Sequence, residues 1–445
     1  MKTALTSTLM ALTWIGLAGG KPVVAQHTPQ SHAQTDTVTG QVDVAARENS
    51  VTGDVSQSSG MVAADPPSPL MPNGGLLIDN GLWDGMPVGP CCAICGGGSG
   101  CPPNWYIEQG VRVLTRSKPR GTDISSDFDG GTLQPVLNNR TAGPDISMAY
   151  ATAFGHYFAR DKLNRDHFVE FSYWGLNGWR DEATVSGTRT SSEDGAETME
   201  YGTLYSQYAL VGTSLDGFDR ADFQTTRYSS YNHNFELNGR ISPRGRNDRL
   251  VLHPNGKWRR ECQPGTYMSY LYGVRFMQID ETFQFHSEGT TLTYDTASGQ
   301  LIDTKTYTGD YDVSTHNNLL GIQIGADMTF RKCRWSWGIR SKLTPCLNLS
   351  DQVSQIHADM ATQPDFSRRL AETKHEAALL GEVGFTATYK FRPNLMGRAS
   401  YDIIWVTGLA LAPEQLQFNT NPVNQINTNG MICYQGLSLS LEWLW

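Results

Sequence analysis

The sequence predicts an all-β protein: a transmembrane, antiparallel, up-and-down β-barrel of ten to twelve strands, an even number, preceded by a disordered N-terminal segment. Three observations predict it. Apolar and polar residues alternate with a period of two along many segments, and a secretory signal stands at the N-terminus. No later segment has the roughly 20 apolar residues that a spanning helix needs, and without helices only a closed sheet satisfies its backbone in lipid.

The clearest alternation runs from Met431 to Trp445. One face is mostly apolar and ends in Trp443 and Trp445, and the opposite face carries glycine, serine and Glu442. Lipid outside, water inside and an aromatic girdle at the interface require this arrangement. We expect the tryptophans at strand ends to form the girdle, namely Trp105, Trp174, Trp335, Trp405, Trp443 and Trp445.

The N-terminal part of the chain is predicted to lie outside the barrel. Residues 1–25 are predicted to be a signal peptide, with Lys2 before an apolar core and small residues before the cleavage site. Residues 26–103 are rich in Ser, Thr, Gly, Pro and Cys, and they have too little apolar surface to offset their ordering entropy. We expect a disordered tether there and the barrel domain over residues 104–445.

Four of the eight cysteines crowd into eleven residues of this tether. A metal site would need two thiolate pairs at a suitable spacing, and a haem attachment site would need a histidine where Gly96 stands. Disulfides are the better interpretation in an exported chain, so we expect no metal and no cofactor. Cys333 and Cys346 pair only if the register of their hairpin allows it. The disulfide candidates are Cys91, Cys92, Cys95 and Cys101.

Ten segments from Trp105 onward show the alternation. Their connections are alternately long and short, and the long ones include 286–316 and 348–376. The long basic connection 241–266 is an exception, because it lies on the short side. Both ends of the barrel domain also lie on the short side. Short periplasmic turns and long outer loops are typical of outer-membrane barrels. Two further strands could lie in 199–211. The ten segments are 105–113, 147–157, 168–176, 231–240, 267–285, 320–330, 335–343, 377–389, 395–409 and 431–445.

From about Cys91 to Trp445 the chain resembles the putative β-barrel porin-7 family, outer-membrane proteins best known from planctomycete bacteria. The resemblance implies a barrel in the outer membrane. It does not cover the segment 26–90 or the long basic turn. Four stretches carry it: Cys91–Cys101 followed by Trp105–Arg116; Tyr272–Phe276 leading to Asp280-Glu281; Thr315–Gly325; and Tyr401–Trp405 followed by Leu409–Gln415.

The charged residues on the polar faces would point into the lumen. Because a ten-strand barrel is narrow, we expect a narrow solute channel, selective by size and charge, with no covalent chemistry. Sequences such as His286-Ser287-Glu288 have no orienting partner at a recognisable spacing, so the chain is not expected to be an enzyme. The predicted pore-lining residues are Glu236, Arg275, Asp327, Arg340, Lys342, Glu382, Arg398 and Asp402.

Two alternatives remain open. One is a closed structural or adhesive barrel whose long outer loops, above all Asn177–Ser230, bind a partner or a surface layer. The other is a secreted soluble β-sandwich. The partners expected for the barrel are outer-membrane lipid, small solutes and the barrel-assembly machinery, which would bind the C-terminal strand ending in Trp445. The net charge of −9 gives no case for nucleic-acid binding.

Overall fold

The computed structural model describes residues 105–445 apart from 130, 144–145, 164, 208–214, 244–248, 253, 255–257, 262–263, 362–363, 393 and 419–424. The predicted signal peptide, tether and four-cysteine cluster therefore lie outside the described residues. The strands are β1 (Trp105–Arg116), β2 (Asp123–Asp129), β3 (Thr132–Asn138), β4 (Ile146–Arg160), β5 (Arg165–Ser186), β6 (Arg189–Asp194), β7 (Glu197–Gly202), β8 (Leu204–Ser206), β9 (Asp219–Ala221), β10 (Phe223–Pro243), β11 (Arg249–Leu252), β12 (Trp258–Glu261), β13 (Gly265–Asp295), β14 (Leu301–Arg331), β15 (Trp335–Ala358), β16 (Phe366–Arg392), β17 (Leu395–Leu409) and β18 (Gly430–Leu444).

Ten of these strands form a closed antiparallel ring. Its order is β10-β5-β4-β1-β18-β17-β16-β15-β14-β13, and β13 pairs again with β10. The first and last strands are hydrogen-bonded neighbours, with Val111 opposite Leu439. The predicted barrel is confirmed, and each of the ten predicted segments overlaps one strand of the ring. Within the described residues, no helix is long and apolar enough to cross a membrane.

The two ends of the barrel differ. We name the end that holds Trp105, Trp445 and the short connections the turn end, and the opposite end the loop end. At the turn end, short connections join β4 to β5, β14 to β15 and β16 to β17. The long connection 241–266 contains the hairpin of β11 and β12.

The Asp161 carboxylate fixes the turn between β4 and β5. It accepts hydrogen bonds from the backbone N–H groups of Leu163 and Arg165, both at 2.9 Å, and from Nε of Arg165 at 2.6 Å. The backbone hydrogen bond from Arg165 is the largest of the effects that lower the pKa of Asp161 from 3.8 to about 2. Because the folded state prefers the charged carboxylate, Asp161 stabilises the fold above about pH 4 and loses this effect as the pH falls through 2.

Replacing Asp161 with asparagine is therefore expected to lower the melting temperature slightly at pH 7 and to have a much smaller effect at pH 2. The measurement is thermal unfolding in detergent at both pH values, monitored through the gel mobility of unboiled samples. Asp166 is ion-paired with Arg160 nearby, so D166N controls for a general loss of charge at this end. A melting difference that stays constant down to pH 2 would contradict the role given to the Asp161 carboxylate.

An apolar band surrounds the barrel at the turn-end half. On β14, Leu320, Ile322, Ile324 and Met328 point outward and are 49 to 69% exposed. The neighbouring strands continue the band with outward Leu, Val, Phe and Trp side chains, while their alternate residues face the interior. A continuous apolar wall of this kind requires lipid rather than water.

Above the band the pattern inverts. On β13, the outward residues change from Tyr272 and Val274 to Gln278, Asp280 and later polar residues. The inward residues become apolar instead, forming a core of side chains inside the loop-end half. We name this the outer core; its main members are Leu215, Phe218, Phe283, Phe285, Tyr311, Val313, Ile356 and Phe418.

The predicted loops 286–316 and 348–376 are therefore largely strand, which corrects the sequence interpretation. In water, the apolar face of a strand must turn inward, so the phase of the alternation changes where β13 to β16 leave the lipid. The loop end also carries a separate four-stranded sheet, β3-β2-β8-β9, and β6 and β7 extend the barrel sheet beside the tip of β13. Neither of the strands β7 and β8 in the 199–211 region belongs to the ring.

Candidate functional site: the barrel interior

Four charged side chains fill the middle of the barrel. We name Glu236, Arg275, Lys342 and Glu382, which come from β10, β13, β15 and β16, the central charge cluster. Arg275 donates from Nη1 to Glu382 at 3.1 Å, and Lys342 donates from Nζ to Glu236 at 2.8 Å. Each is at most 6% exposed. Two cations and two anions at this distance compensate one another, which a buried charge requires.

Neutral amides complete the central charge cluster. Nε of Arg275 donates to Oδ1 of Asn234 at 2.6 Å, and Asn238 donates to Glu236 at 3.1 Å. Gln323 donates to both Glu236 and Asn238 at 2.9 Å. Together with the ion pairs, these bonds join the five strands β10, β13, β14, β15 and β16, so the cluster is a fixed plug of side chains.

A second set of ion pairs lies closer to the turn end. Arg398 donates to Glu108 at 2.7 Å and to Glu442 at 2.8 Å, and Arg240 lies 3.1 Å from Asp327. A cavity of about 400 Å³ lies among these side chains, lined by both acids and bases.

All eight predicted pore-lining residues form ion pairs inside the barrel. Four of them form the central charge cluster. Arg340 lies next to that cluster, 3.7 Å from Glu382 and 3.5 Å from Asp402. Asp327 and Arg398 belong to the second set. Sequence reasoning missed four charged partners, although each stands on the polar face of a predicted strand: Glu108, Glu170, Arg240 and Glu442.

An apolar layer crosses the interior on the loop-end side of the central charge cluster. Its side chains come from eight of the ten ring strands and from the connection after β17, and nearly all are fully buried. The aliphatic side chains of this layer offer a hydrated ion nothing that replaces its water. Its members are Leu114, Ala149, Trp174, Trp179, Met277, Ile279, Leu319, Ala378, Leu380, Ile404, Val406, Leu409, Leu411, Ile432 and Tyr434.

Trp174 belongs to the apolar layer inside the barrel, so its prediction as a girdle residue is wrong. Its side chain is 2% exposed and packs against Tyr434 inside the barrel. The sequence itself indicates the inward direction of Trp174, because Trp174 stands two and four residues after Ser172 and Glu170, whose side chains also face inward. Of the other predicted girdle residues, Trp335, Trp443 and Trp445 are 45 to 60% exposed at the turn end.

Trp105 and Trp405 also lie on the outer face. Trp105 stacks on the ring of Phe154 with 5.0 Å between centroids. Trp405 covers Gly381 on the neighbouring strand, where a Cβ atom would come within 2.0 Å of the indole. Only glycine accommodates the ring there.

The connection between β17 and β18 enters the barrel and plugs its loop-end half. We name residues Leu409–Phe418 the strap. Leu411 belongs to the apolar layer, and Ala412 and Phe418 belong to the outer core. A short 3-10 helix, Ala412–Glu414, turns the strap between these two cores.

Buried polar side chains hold the backbone of the strap. Asn317 donates to the carbonyl of Ala410 and accepts from its N–H, both at 2.8 Å. Glu281 accepts from the N–H of Ala412 at 2.9 Å and pairs with Arg116. Because buried backbone groups must be paired, these contacts explain how an irregular segment lies inside the barrel.

Cys333, Cys346 and His286 lie outside the two sets of ion pairs. Cys333 lies at the turn end and Cys346 is far along β15, opposite Gly321, so no disulfide joins them. His286 bonds Asp310 at 2.7 Å on the outer wall, with its side chain 40% exposed.

Several solved outer-membrane barrels are similar in architecture. The protease OmpT from Escherichia coli is 11% identical, with 79% of this chain and 99% of that chain covered and a TM-score of 0.32. The transport unit of the autotransporter AIDA-I from Escherichia coli is 6% identical, with 77% of this chain and 90% of that chain covered and a TM-score of 0.25. A Pseudomonas aeruginosa FadL homologue is 8% identical, with 76% of this chain and 89% of that chain covered and a TM-score of 0.21. A search of curated proteins finds no match.

A family model gives the more informative match. The model described as putative beta barrel porin-7 (BBP7) matches residues 230–434. That stretch holds three of the four motifs that carry the resemblance, including Tyr401–Gln415, whose second half contributes much of the strap. The apolar band and the closed ring are those of a membrane barrel. The protein is thus a transmembrane β-barrel, and its residues 230–434 match the model of the putative beta barrel porin-7 family.

Proposed function

We propose that the protein is a closed outer-membrane barrel that presents its loop-end β-structure to a partner or a surface layer. The observation that carries this proposal is the filled interior: Arg275, Trp179 and Tyr434, at two successive levels, are each at most 1% exposed. A ten-strand barrel is only slightly wider than one that side chains alone can fill. Ions and solutes would have to displace both the central charge cluster and the apolar layer.

The loop end supports the binding half of the proposal. The sheet β3-β2-β8-β9 and the extended hairpin of β13 and β14 add ordered surface above the lipid band. Phe128 and Leu133 face each other across β2 and β3, and about 40% of each side chain is exposed. The outer core gives this region a rigid base. The proposal includes no catalytic step.

A liposome-swelling assay tests the closed state. Proteoliposomes are placed in isotonic solutions of neutral sugars of increasing size, and their swelling is compared with that of protein-free liposomes. We expect no increase for any sugar, because no solute replaces the packed side chains of the apolar layer. An increase for the smallest sugars alone would contradict closure and support a size-selective channel.

The narrow solute channel is the second candidate function, and one observation favours it. The 400 Å³ cavity at the turn end is lined by paired acids and bases, which is the lining expected for a polar solute path. For this cavity to conduct, the strap would have to leave the loop-end half. Swelling by wild-type protein would therefore make the strap the gate of that channel.

A further inference from the structure

One sector of the apolar layer is polar. On β5 and β10, the inward residues at this level include Asn177, Trp179, Ser230 and Asn232 instead of aliphatic side chains. Asn177 lies directly opposite Asn232, and Trp179 lies directly opposite Ser230. Seven of the other eight ring strands contribute mostly leucine, isoleucine, valine, methionine and alanine to the layer.

Several polar atoms of this sector lack a hydrogen-bond partner among the described residues. They are both amide atoms of Asn177, Oγ of Ser230 and Nε1 of Trp174 and Trp179. These four side chains belong to residues that are at most 2% exposed. Buried polar groups in native proteins are paired with protein or with ordered water, so four such side chains on two adjacent strands require a common explanation.

Local geometry brings these side chains together. A β-bulge at Leu176, whose φ is 61°, places Trp174 and Asn177 both on the inner face. The ring of Tyr434 lies 6.3 Å from that of Trp174 and 5.2 Å from that of Trp179. The Tyr434 hydroxyl and the Asn232 amide also lack a hydrogen-bond partner among the described residues. The neighbouring strand β4 contributes only small inward residues here, Ser147, Ala149 and Ala151.

We propose that Asn177, Ser230, Trp174 and Trp179, together with Asn232 and Tyr434, form a binding site for a cluster of ordered water molecules inside the barrel. The unpaired atoms include donors and acceptors and carry no net charge, which suits water and not an ion. A buried water needs two to four polar partners, and this sector supplies them. The site goes beyond the proposed function, because it depends on neither conductance nor an external partner.

Radiolytic hydroxyl-radical footprinting of the folded full-length protein in detergent tests this site. Radicals generated from bound water oxidise the side chains beside it even when these are inaccessible to bulk solvent. Tyr434 is 0% exposed and Tyr311 is 1% exposed, but the Tyr311 hydroxyl is paired with Gln417 and Ser354 inside the outer core. We expect Tyr434 to be oxidised several-fold faster than Tyr311.

A double variant, Asn177→Leu with Ser230→Ala, removes the polar partners of the water. Its Tyr434 is expected to be oxidised as slowly as Tyr311, provided that the unboiled protein keeps its folded gel mobility. If the variant does not fold, the wild-type comparison decides alone. Equal oxidation rates for Tyr434 and Tyr311 in the wild-type protein would overturn the proposal.

Discussion

Replacing Arg275 with methionine is expected to lower the free energy of unfolding by about 3–5 kcal/mol, because it leaves buried carboxylates without their cation. Arg275 lies 3.1 Å from Glu382 and 3.6 Å from Glu236, and it is 1% exposed. Methionine keeps most of the volume and removes the charge. The measurement is urea-induced unfolding of refolded protein in detergent, followed by tryptophan fluorescence and by the mobility of unboiled samples.

A surface arginine provides the matched control. Arg227 pairs with Glu182 on the outer wall, where both side chains are more than half exposed. R227M is expected to change the free energy of unfolding by at most about 1 kcal/mol, as exposed ion pairs do. Adding Glu382→Gln to R275M should restore part of the loss, since it removes one uncompensated charge. Equal effects of R275M and R227M would show that the central charge cluster is hydrated and not buried.

Replacing Asn317 with leucine is expected to release the strap. The change removes both hydrogen bonds to Ala410 and the bond that Asn317 accepts from Asn348 at 2.9 Å. Each buried group left unpaired costs about 1–3 kcal/mol, so the strap should lose about 2–6 kcal/mol of docking free energy. Limited proteolysis in detergent measures this, because a released strap is cut between β17 and β18 and yields a C-terminal fragment.

The neighbouring residue supplies the control for the strap. Asn318 lies on the outward face of β14, and N318L removes an amide of the same size from the same strand. It is expected to leave the protein resistant at protease concentrations that cut N317L. If both variants are cut at the same rate as wild-type protein, the contacts of Asn317 do not hold the strap.

The lipid-embedded half of the fold could be predicted from the sequence. There the chemical contrast between neighbouring residues is large, as in Leu437 and Ser438, and the phase of the alternation stays constant along each strand. This constant alternation alone predicts the number of strands, the closure of the sheet into a barrel and the inward direction of the eight charged residues. The prediction of Trp174 as a girdle residue is wrong because it rests on the residue type and not on the position of Trp174 in the alternation.

The loop-end half could not be predicted in the same way. On β13 the apolar residues shift from even to odd positions between Phe276 and Met277, because lipid lies outside one half and water outside the other. If the alternation is assumed to keep one phase along the whole strand, the sequence predicts that the strand ends at this position. The pairing of Arg275 with Glu382 depends on contacts across the lumen between strands that are not neighbours, which no periodicity within one strand can show.

Ion conductance of the wild-type protein in planar lipid bilayers tests the central claim most directly. The claim is that the central charge cluster, the apolar layer and the strap close the interior. In molar potassium chloride, the account predicts that inserted wild-type barrels give no discrete conductance steps. Insertion would be verified by recovering folded, heat-modifiable protein from the same proteoliposomes. Regular steps of uniform size from the wild-type protein would contradict it and show an open path through the barrel.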